Sequence, residues 1–329
     1  MPHVNFFKNV AGVLCKMGKD VTIICLDRGK NIATAKEEFK GLEVIPIGIH
    51  RGNFASIIFQ ANFIRCFKII KYCLFHKPDI GISVGGFVFG FVLKILNIPN
   101  IQFSDDPERK RNFFLQKLTA TELIFPPLLN AKGNVFIMNA LKEWAYLSTK
   151  YFTPSIKELD VYNLQPQKYI FVREVSTGSL NYVKQQSNII ATVSHDFPPG
   201  YKVLLSLEDK STINQYPKNW ILLKEPLNDI HSLIYFSKIL ISSGDSMSRE
   251  GAMLGVPSIY CGIRKMAANQ VMINKGMLFH KDVKEVPLFI DRIKNNDIKI
   301  EDQDKFRKNL EDEWVDVTKF IIRQIKKYG

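Results

Sequence analysis

Long apolar runs are missing from this sequence. The longest stretch without a charged residue runs from Ile80 to Leu93 and is broken by Lys94. A membrane-spanning helix needs roughly 18 to 20 apolar residues, so none is expected. No basic segment followed by an apolar one stands at the start, which argues against a secretory signal and for a cytoplasmic product. Cysteine is scarce and unpaired by spacing: Cys15, Cys25, Cys66, Cys73 and Cys261 form no CxxC motif. That excludes a disulfide scaffold and speaks against a zinc site. Each cysteine lies in an apolar stretch and is expected as a buried free thiol. Acid is also in short supply. Against 45 Lys plus Arg there are 32 Asp plus Glu, leaving a net charge of +13. Such a field favours phosphorylated metabolites, anionic lipid or nucleic acid. The basic residues are scattered and no nucleic-acid-binding module is present, so a nucleic-acid partner is set aside.

What is present is ordinary for a globular chain: 46% apolar and 23% charged residues over 329 positions. At about 150 residues per domain this length predicts two domains. Short apolar runs alternate with helix-period segments, the pattern of parallel strands joined by crossover helices. In the first half, strands are expected at Val21–Leu26, Leu42–Ile47, Ile80–Val84, Asn100–Phe103 and Glu122–Phe125. Helices are expected at Asn5–Met17, Ala33–Phe39, Phe54–Phe75, from Gly85-Gly86 to Leu96, and at Lys110–Leu118. Pro126 to Gln167 is punctuated by proline and glycine and reads as irregular. The second half offers strands at Tyr169–Val172, Tyr201–Leu207, Trp220–Leu223, Ile239–Ser242 and Ser258–Cys261, and an amphipathic helix from Asp302 to Lys327. The fold class is therefore α/β: two Rossmann-like, doubly wound parallel-sheet domains, residues 1–160 and 161–329. The terminal helix 302–327 is a candidate to pack back on the first domain. Met1-Pro2-His3 leads straight into a helix, so the opening strand of the first domain is expected to be missing.

The segment ISSGDSMSREGAMLGVP, Ile241 to Pro257, carries the most chemistry. It reads as a strand, a Ser243-Gly244 turn, and a helix capped by Ser246 and stopped by Gly255. Ligands of open parallel sheets bind outside the carboxyl ends of the strands. A helix start there presents N–H groups and a positive dipole end to a phosphate. Gly244 lets a diphosphate approach the backbone, Asp245 and Ser246 stand in the first turn, and Glu250 can accept hydrogen bonds from ribose hydroxyls. A strand–turn–helix that binds nothing fits the same residues.

This segment resembles the nucleotide-diphosphate loop of GT-B glycosyltransferases, including the UDP-GlcNAc transferase of peptidoglycan synthesis. Over nearly the whole chain the sequence resembles a prokaryotic, archaea-rich family of unknown function related to those transferases and to UDP-GlcNAc 2-epimerases. The matching stretches are PHVNFFK (Pro2–Lys8), SVGG (Ser83–Gly86), FSDD (Phe103–Asp106), LKEWAYL (Leu141–Leu147), YIFVRE (Tyr169–Glu174), SREGAMLGVPSI (Ser248–Ile259) and Lys265–His280. The resemblance implies a GT-B arrangement of two domains facing across a cleft and a nucleotide-sugar ligand, UDP-linked by that likeness.

Each candidate residue has a structural reading beside the functional one. His3 is a candidate base for an acceptor hydroxyl, since related transferases place a histidine near this turn; it reads equally as a surface or capping residue. Asp105 and Asp106 can act as base or orient a sugar hydroxyl, or cap a helix ahead of Pro107. Gly85 and Gly86 form a turn at a strand end. Arg173, with its planar fork, suits a diphosphate, and suits a salt bridge as well. Lys265 and Asn269 can reach a phosphate or sugar hydroxyl, or simply begin a solvated helix. Lys142 and Glu143 match the family and also fit hinge packing. Arg109, Lys110, Arg111 and Lys117, interleaved with Phe113, Phe114 and Leu115, read as a surface for an anionic membrane or as an amphipathic helix with its apolar side in the core.

The epimerase acid–base set is incomplete here. Gly85-Gly86-Phe87 offers no carboxylate, Asp105 only approximates the next site, and Asn112–Ala120 contains no glutamate. Metal-independent glycosyl transfer asks only for a held leaving group, a base and exclusion of water. The expected function is thus a nucleotide-sugar-dependent glycosyltransferase acting on a glycan or lipid-linked acceptor, with no cofactor and no metal. An epimerase-like enzyme and a non-catalytic binding protein are the alternatives.

Overall fold

The computed structural model describes residues 2–27, 31–49, 63–178, 182, 184–224 and 229–329. The chain divides into two compact units: Met1–Tyr146 with Trp314–Gly329, and Leu147–Glu313.

In the first unit α1 (Pro2–Lys16) leads to β1 (Thr22–Asp27), α2 (Asn31–Glu38) and β2 (Glu43–Ile49). Then follow α3 (Arg65–His76), β3 (Gly81–Val84), α4 (Phe87–Ile95), β4 (Asn100–Phe103), α5 (Lys110–Thr119), β5 (Glu122–Phe125) and β6 (Val135–Ile137). All strand pairs are parallel, but they form two sheets, β1-β2 and β3-β4-β5-β6. Among the described residues β1 and β3 each keep one edge without a strand partner. α1 spans the two sheets. Its Phe6 ring meets Phe103 of β4 edge-on at 5.1 Å, while Ala11 packs with Ala35 and Phe39 beside β1 and β2. Helix and sheet approach closely at Gly90 of α4, where a Cβ would lie 1.9 Å from the Gln102 amide nitrogen.

The second unit begins within the short helix α6 (Trp144–Leu147) and passes a 3-10 segment, Ile156–Tyr162. It then runs through β7 (Tyr169–Glu174), β8 (Lys202–Leu207), β9 (Ile221–Leu222), α7 (Ile230–Tyr235), β10 (Ile239–Ser242) and α8 (Asp245–Met253). β11 (Ser258–Tyr260), α9 (Ala267–Asn274), β12 (Leu278–His280), α10 (Val286–Lys294) and α11 (Gln303–Glu313) complete it. Its six strands are all parallel in the order β12-β11-β10-β7-β8-β9. Successive connections run outward from β7 to one edge, then from β10 to the other, so the order reverses between β7 and β10. Ile170 and Val172 of β7 and Ile239 and Ile241 of β10 are fully buried at the centre. The last helix, α12 (Val317–Ile325), belongs to the first unit.

Several boundaries differ from the sequence reading. α1 starts at Pro2, not Asn5. The 54–62 portion of the expected Phe54–Phe75 helix lies outside the described residues; the described helix is α3. The irregular stretch contains β6, and the second half contains β12. Both are three-residue strands with one buried and two more accessible positions, too short to carry a pattern. The expected helix 302–327 is two helices, broken at Trp314–Asp316, where the Asp316 carboxylate accepts from the Lys319 N–H and starts α12 afresh. The five cysteines are free, but only Cys73 and Cys261 are buried; Cys15 is exposed because it falls on the solvent side of α1.

Candidate functional site

In a parallel sheet the crevice for a ligand opens where the strand order reverses, beyond the carboxyl ends of the two strands involved. In the second unit that point lies between β7 and β10, and α8 starts there. Gly244 is its N-cap residue and the helix begins at Asp245. Ser246 therefore stands in the first turn and does not cap it. Gly255, with φ of +74°, ends the segment as expected.

The Asp245 carboxylate is buried and gathers three donors. Arg249 Nη1 lies 3.2 Å away, Arg264 Nη1 3.3 Å, and the Tyr182 hydroxyl 2.5 Å. Burial alone pushes the Asp245 pKa up, but Arg249, Tyr182 and Arg264 together outweigh it and hold the group below the ordinary aspartate value. Tyr182 is pushed the opposite way by burial and by the carboxylate it serves. Arg249 is fully buried and also donates to Asn269 Oδ1 at 2.8 Å, while the buried Asn269 Nδ2 has no hydrogen-bond partner. Two guanidinium groups against one carboxylate leave this helix start with one net positive charge, in addition to about +0.5 from the helix itself.

Gly244 does not offer a bare amide to an anion. Its N–H donates to Ser242 Oγ at 3.0 Å, and Val175 Cγ1 lies 2.5 Å from where a Cβ would stand. Ser243 is buried too, its hydroxyl accepting from the Val175 N–H and its carbonyl from Gln185. The more accessible part of the first turn is Ser246 and Met247. Glu250 is buried with one carboxylate oxygen 3.6 Å from His231 Nε2 of α7. Lys265 is exposed; its neighbour Arg264 is the residue that reaches the cluster.

Arg173 and Glu174 are the last residues of β7 rather than residues beyond it, and they point to opposite faces. Arg173 donates to Ser206 and Glu208 at 2.9 and 2.5 Å, a bridge to β8 within the same unit, so its fork is already occupied. Glu174 accepts from the Ile190 N–H and the Tyr216 hydroxyl, and burial raises its pKa.

The first unit gathers a second polar group. Asp105 is buried and lies 2.7 Å from Lys142 Nζ. His3, in the first turn of α1, stands beside both. It keeps contact with solvent, yet desolvation by the surrounding protein and the Lys142 charge lower its pKa to about 4, against an opposing pull from Asp105. His3 is therefore neutral at pH 7. A small cavity lined by Phe6, Val84, Phe103, Ser104, Met138 and Lys142 adjoins this group at the carboxyl ends of β3 and β4. Asp106 pairs with Arg109 at 3.0 Å. Neither aspartate caps α5, whose first residue is Lys110 and whose N-cap is Arg109. Gly85 takes φ of +67° in the expected turn after β3, and Gly86 precedes α4, with Ser83 2.8 Å from where its Cβ would be.

Sequence alone assigns no role to Tyr182, Arg264, His231 or Arg249. For Arg249 a signal existed: Asp245 and Arg249 are four apart on one helix, the spacing of an ion pair. Tyr182 and Arg264 come from distant loops, and nothing local marks them.

Two Rossmann-like parallel-sheet units with a helix start at a strand-order reversal define a GT-B-type α/β protein. The sequence profile of a family described as protein of unknown function (DUF354) matches residues 157–328, more than half the chain, and the protein belongs to that family. A search of curated proteins finds no match. Among solved structures, it is similar to the Methanocaldococcus jannaschii UDP-GlcNAc 2-epimerase in complex with UDP-GlcNAc and UDP. That likeness has a TM-score of 0.74 and 14% identity, covering 100% of this chain and 97% of that one. The spinosyn forosaminyltransferase SpnP gives 0.70 and 12%, covering 99% and 95%. The Neisseria meningitidis UDP-GlcNAc 2-epimerase bound to UDP-GlcNAc gives 0.64 and 12%, covering 99% and 97%. These likenesses establish the fold.

Proposed function

We propose that this protein is a metal-independent, nucleotide-sugar-dependent glycosyltransferase. The observation that carries the reading is the start of α8 at the β7/β10 reversal, with Arg249 and Arg264 converging on it. A net positive, preorganised helix start is suited to a leaving diphosphate, because charge that develops there meets donors already in position. The diphosphate lies against Ser246 and Met247 in the first turn, with Arg264 and the exposed Lys265 as its side-chain cations. Glu250 holds the ribose hydroxyls, turning from His231 toward them. In the first unit, neutral His3 accepts the proton of the acceptor hydroxyl, and the Asp105–Lys142 pair fixes the charge beside it. The acceptor is a glycan or lipid-linked sugar of cell-surface polysaccharide synthesis, reached from the cytoplasmic side. The solved neighbours that carry UDP-GlcNAc or UDP support the ligand class. Epimerase chemistry lacks a carboxylate at Gly85-Gly86-Phe87 and a glutamate in Asn112–Ala120.

The test is a melting screen with millimolar UDP-, GDP-, dTDP- and CMP-sugars. A ligand at 100 times its Kd adds about 2.7 kcal/mol to stability, so one class should raise Tm by several degrees, and Arg264→Ala should abolish that rise. No shift with any of the four classes would refute the reading. Release of free N-acetylmannosamine from UDP-GlcNAc would replace transfer with epimerisation.

A further inference from the structure

Helices α3, α4 and α5 are the successive crossovers along the β2-to-β5 stretch of the first unit. α3 and α4 share an apolar seam built on Ile69, Cys73, Val92 and Leu93. Lys94 of α4 donates to the Leu118 carbonyl of α5, so the three helices make one continuous layer. Their outer face has an unusual composition. α3 turns Phe67, Leu74 and Phe75 to solvent together with Lys68 and Lys71. α4 shows Phe91 and Ile95 with Lys94. α5 shows Phe114, Leu115 and Leu118 with Lys110, Arg111 and Lys117. The exposure is large: 69% for Phe67, 76% for Phe75 and 61% for Phe114. None of the three helices contains an aspartate or glutamate. The reading of Arg109–Lys117 as a helix with its whole apolar side in the core thus holds only for Phe113, which packs beside Leu123 and Phe125.

Eight large apolar side chains exposed on three adjoining helices mark an interaction site. Its charge decides the partner. The core of a protein–protein interface is depleted of lysine, whereas here lysines alternate with the aromatics. A symmetric dimer would set this face against its own copy, bringing six positive charges of one copy against six of the other. An anionic bilayer meets both demands: aromatic and aliphatic side chains enter the headgroup boundary while the long lysine stems carry their charges to lipid phosphates. We propose that the α3–α4–α5 face docks this protein on the surface of an anionic membrane. The inference does not depend on the nucleotide-sugar reading.

The test is co-sedimentation of the full chain with vesicles of phosphatidylcholine containing roughly a third phosphatidylglycerol, against vesicles of phosphatidylcholine alone. Binding to the anionic vesicles only, weakened by 0.5 M salt, is expected. The double variant K68E/K71E should lower vesicle affinity about tenfold or more. F67S/F114S should lower it at low salt as well, with an unchanged melting temperature because both side chains are exposed. Failure to sediment with anionic vesicles would overturn the proposal. So would equal binding by the variants, or a dimer in light scattering that F67S/F114S dissociates, since that assigns the face to a second copy.

Discussion

His3 and Arg249 show what the surrounding protein does to two basic residues with different partners. The His3 pKa of about 4 lies below its unfolded value near 6.5, so between these pH values the unfolded chain binds more protons. Stability from this group is complete above pH 6.5 and is lost as pH falls toward 4. Melting curves from pH 7.5 to 4 should therefore drop less for His3→Gln than for the unaltered protein. Arg249 is a fully buried cation whose removal strands a carboxylate. Arg249→Met should cost about 3–5 kcal/mol in urea unfolding, because Asp245 would keep Arg264 and Tyr182 but lose its buried counter-charge. The sequence showed the position of this cluster through the Ile239–Gly255 pattern, yet not its use. A carboxylate at a helix start reads the same whether it awaits a ligand's cations or already holds two arginines from its own chain. The covered Gly244 has the same cause, since Val175 and Tyr182 arrive from a loop some 60 or more positions away in sequence.

At the level of elements, the strands that were legible are the central ones. Asn100–Phe103, Glu122–Phe125 and Ile239–Ser242 match the expected bounds to the residue, because strands buried along their whole length need short runs free of exposed charge between turn-forming residues, even where Asn100 and Gln102 interrupt the apolar pattern. β6 and β12 escaped because three residues at a sheet edge impose no such demand. The break at Trp314–Asp316 escaped because apolar spacing continues across it and only the Asp316 cap marks the restart. Gly255 joins two elements: its φ is +74°, and a Cβ would lie 2.9 Å from the Gln303 carbonyl oxygen at the start of α11. Gly255→Ala should destabilise by about 1–3 kcal/mol through strain and displacement of α11, visible as a lower urea midpoint at constant m. The split between β1 and β3 has its own consequence. Amide exchange should be faster in β1, whose residues are only half-buried, than in β7 and β10, whose residues lie at the centre of an uninterrupted sheet.

At the level of the molecule, the two units are not consecutive in the chain. Residues 314–329 return to the first unit, where Trp314 meets Trp144 edge-on at 5.5 Å and Lys327 and Tyr328 both bond Glu122 of β5. Trp314→Ala should cost about 3–5 kcal/mol and expose the first unit to protease before the second. The ordering also bears on biosynthesis. A nascent polypeptide emerges from the ribosome with the first unit lacking its closing helix until residues 314–329 have been synthesised. The later-encoded unit, Leu147–Glu313, is consequently the earlier of the two to have all its parts, and any chaperone dependence of this protein should concentrate on residues 2–146 during that wait.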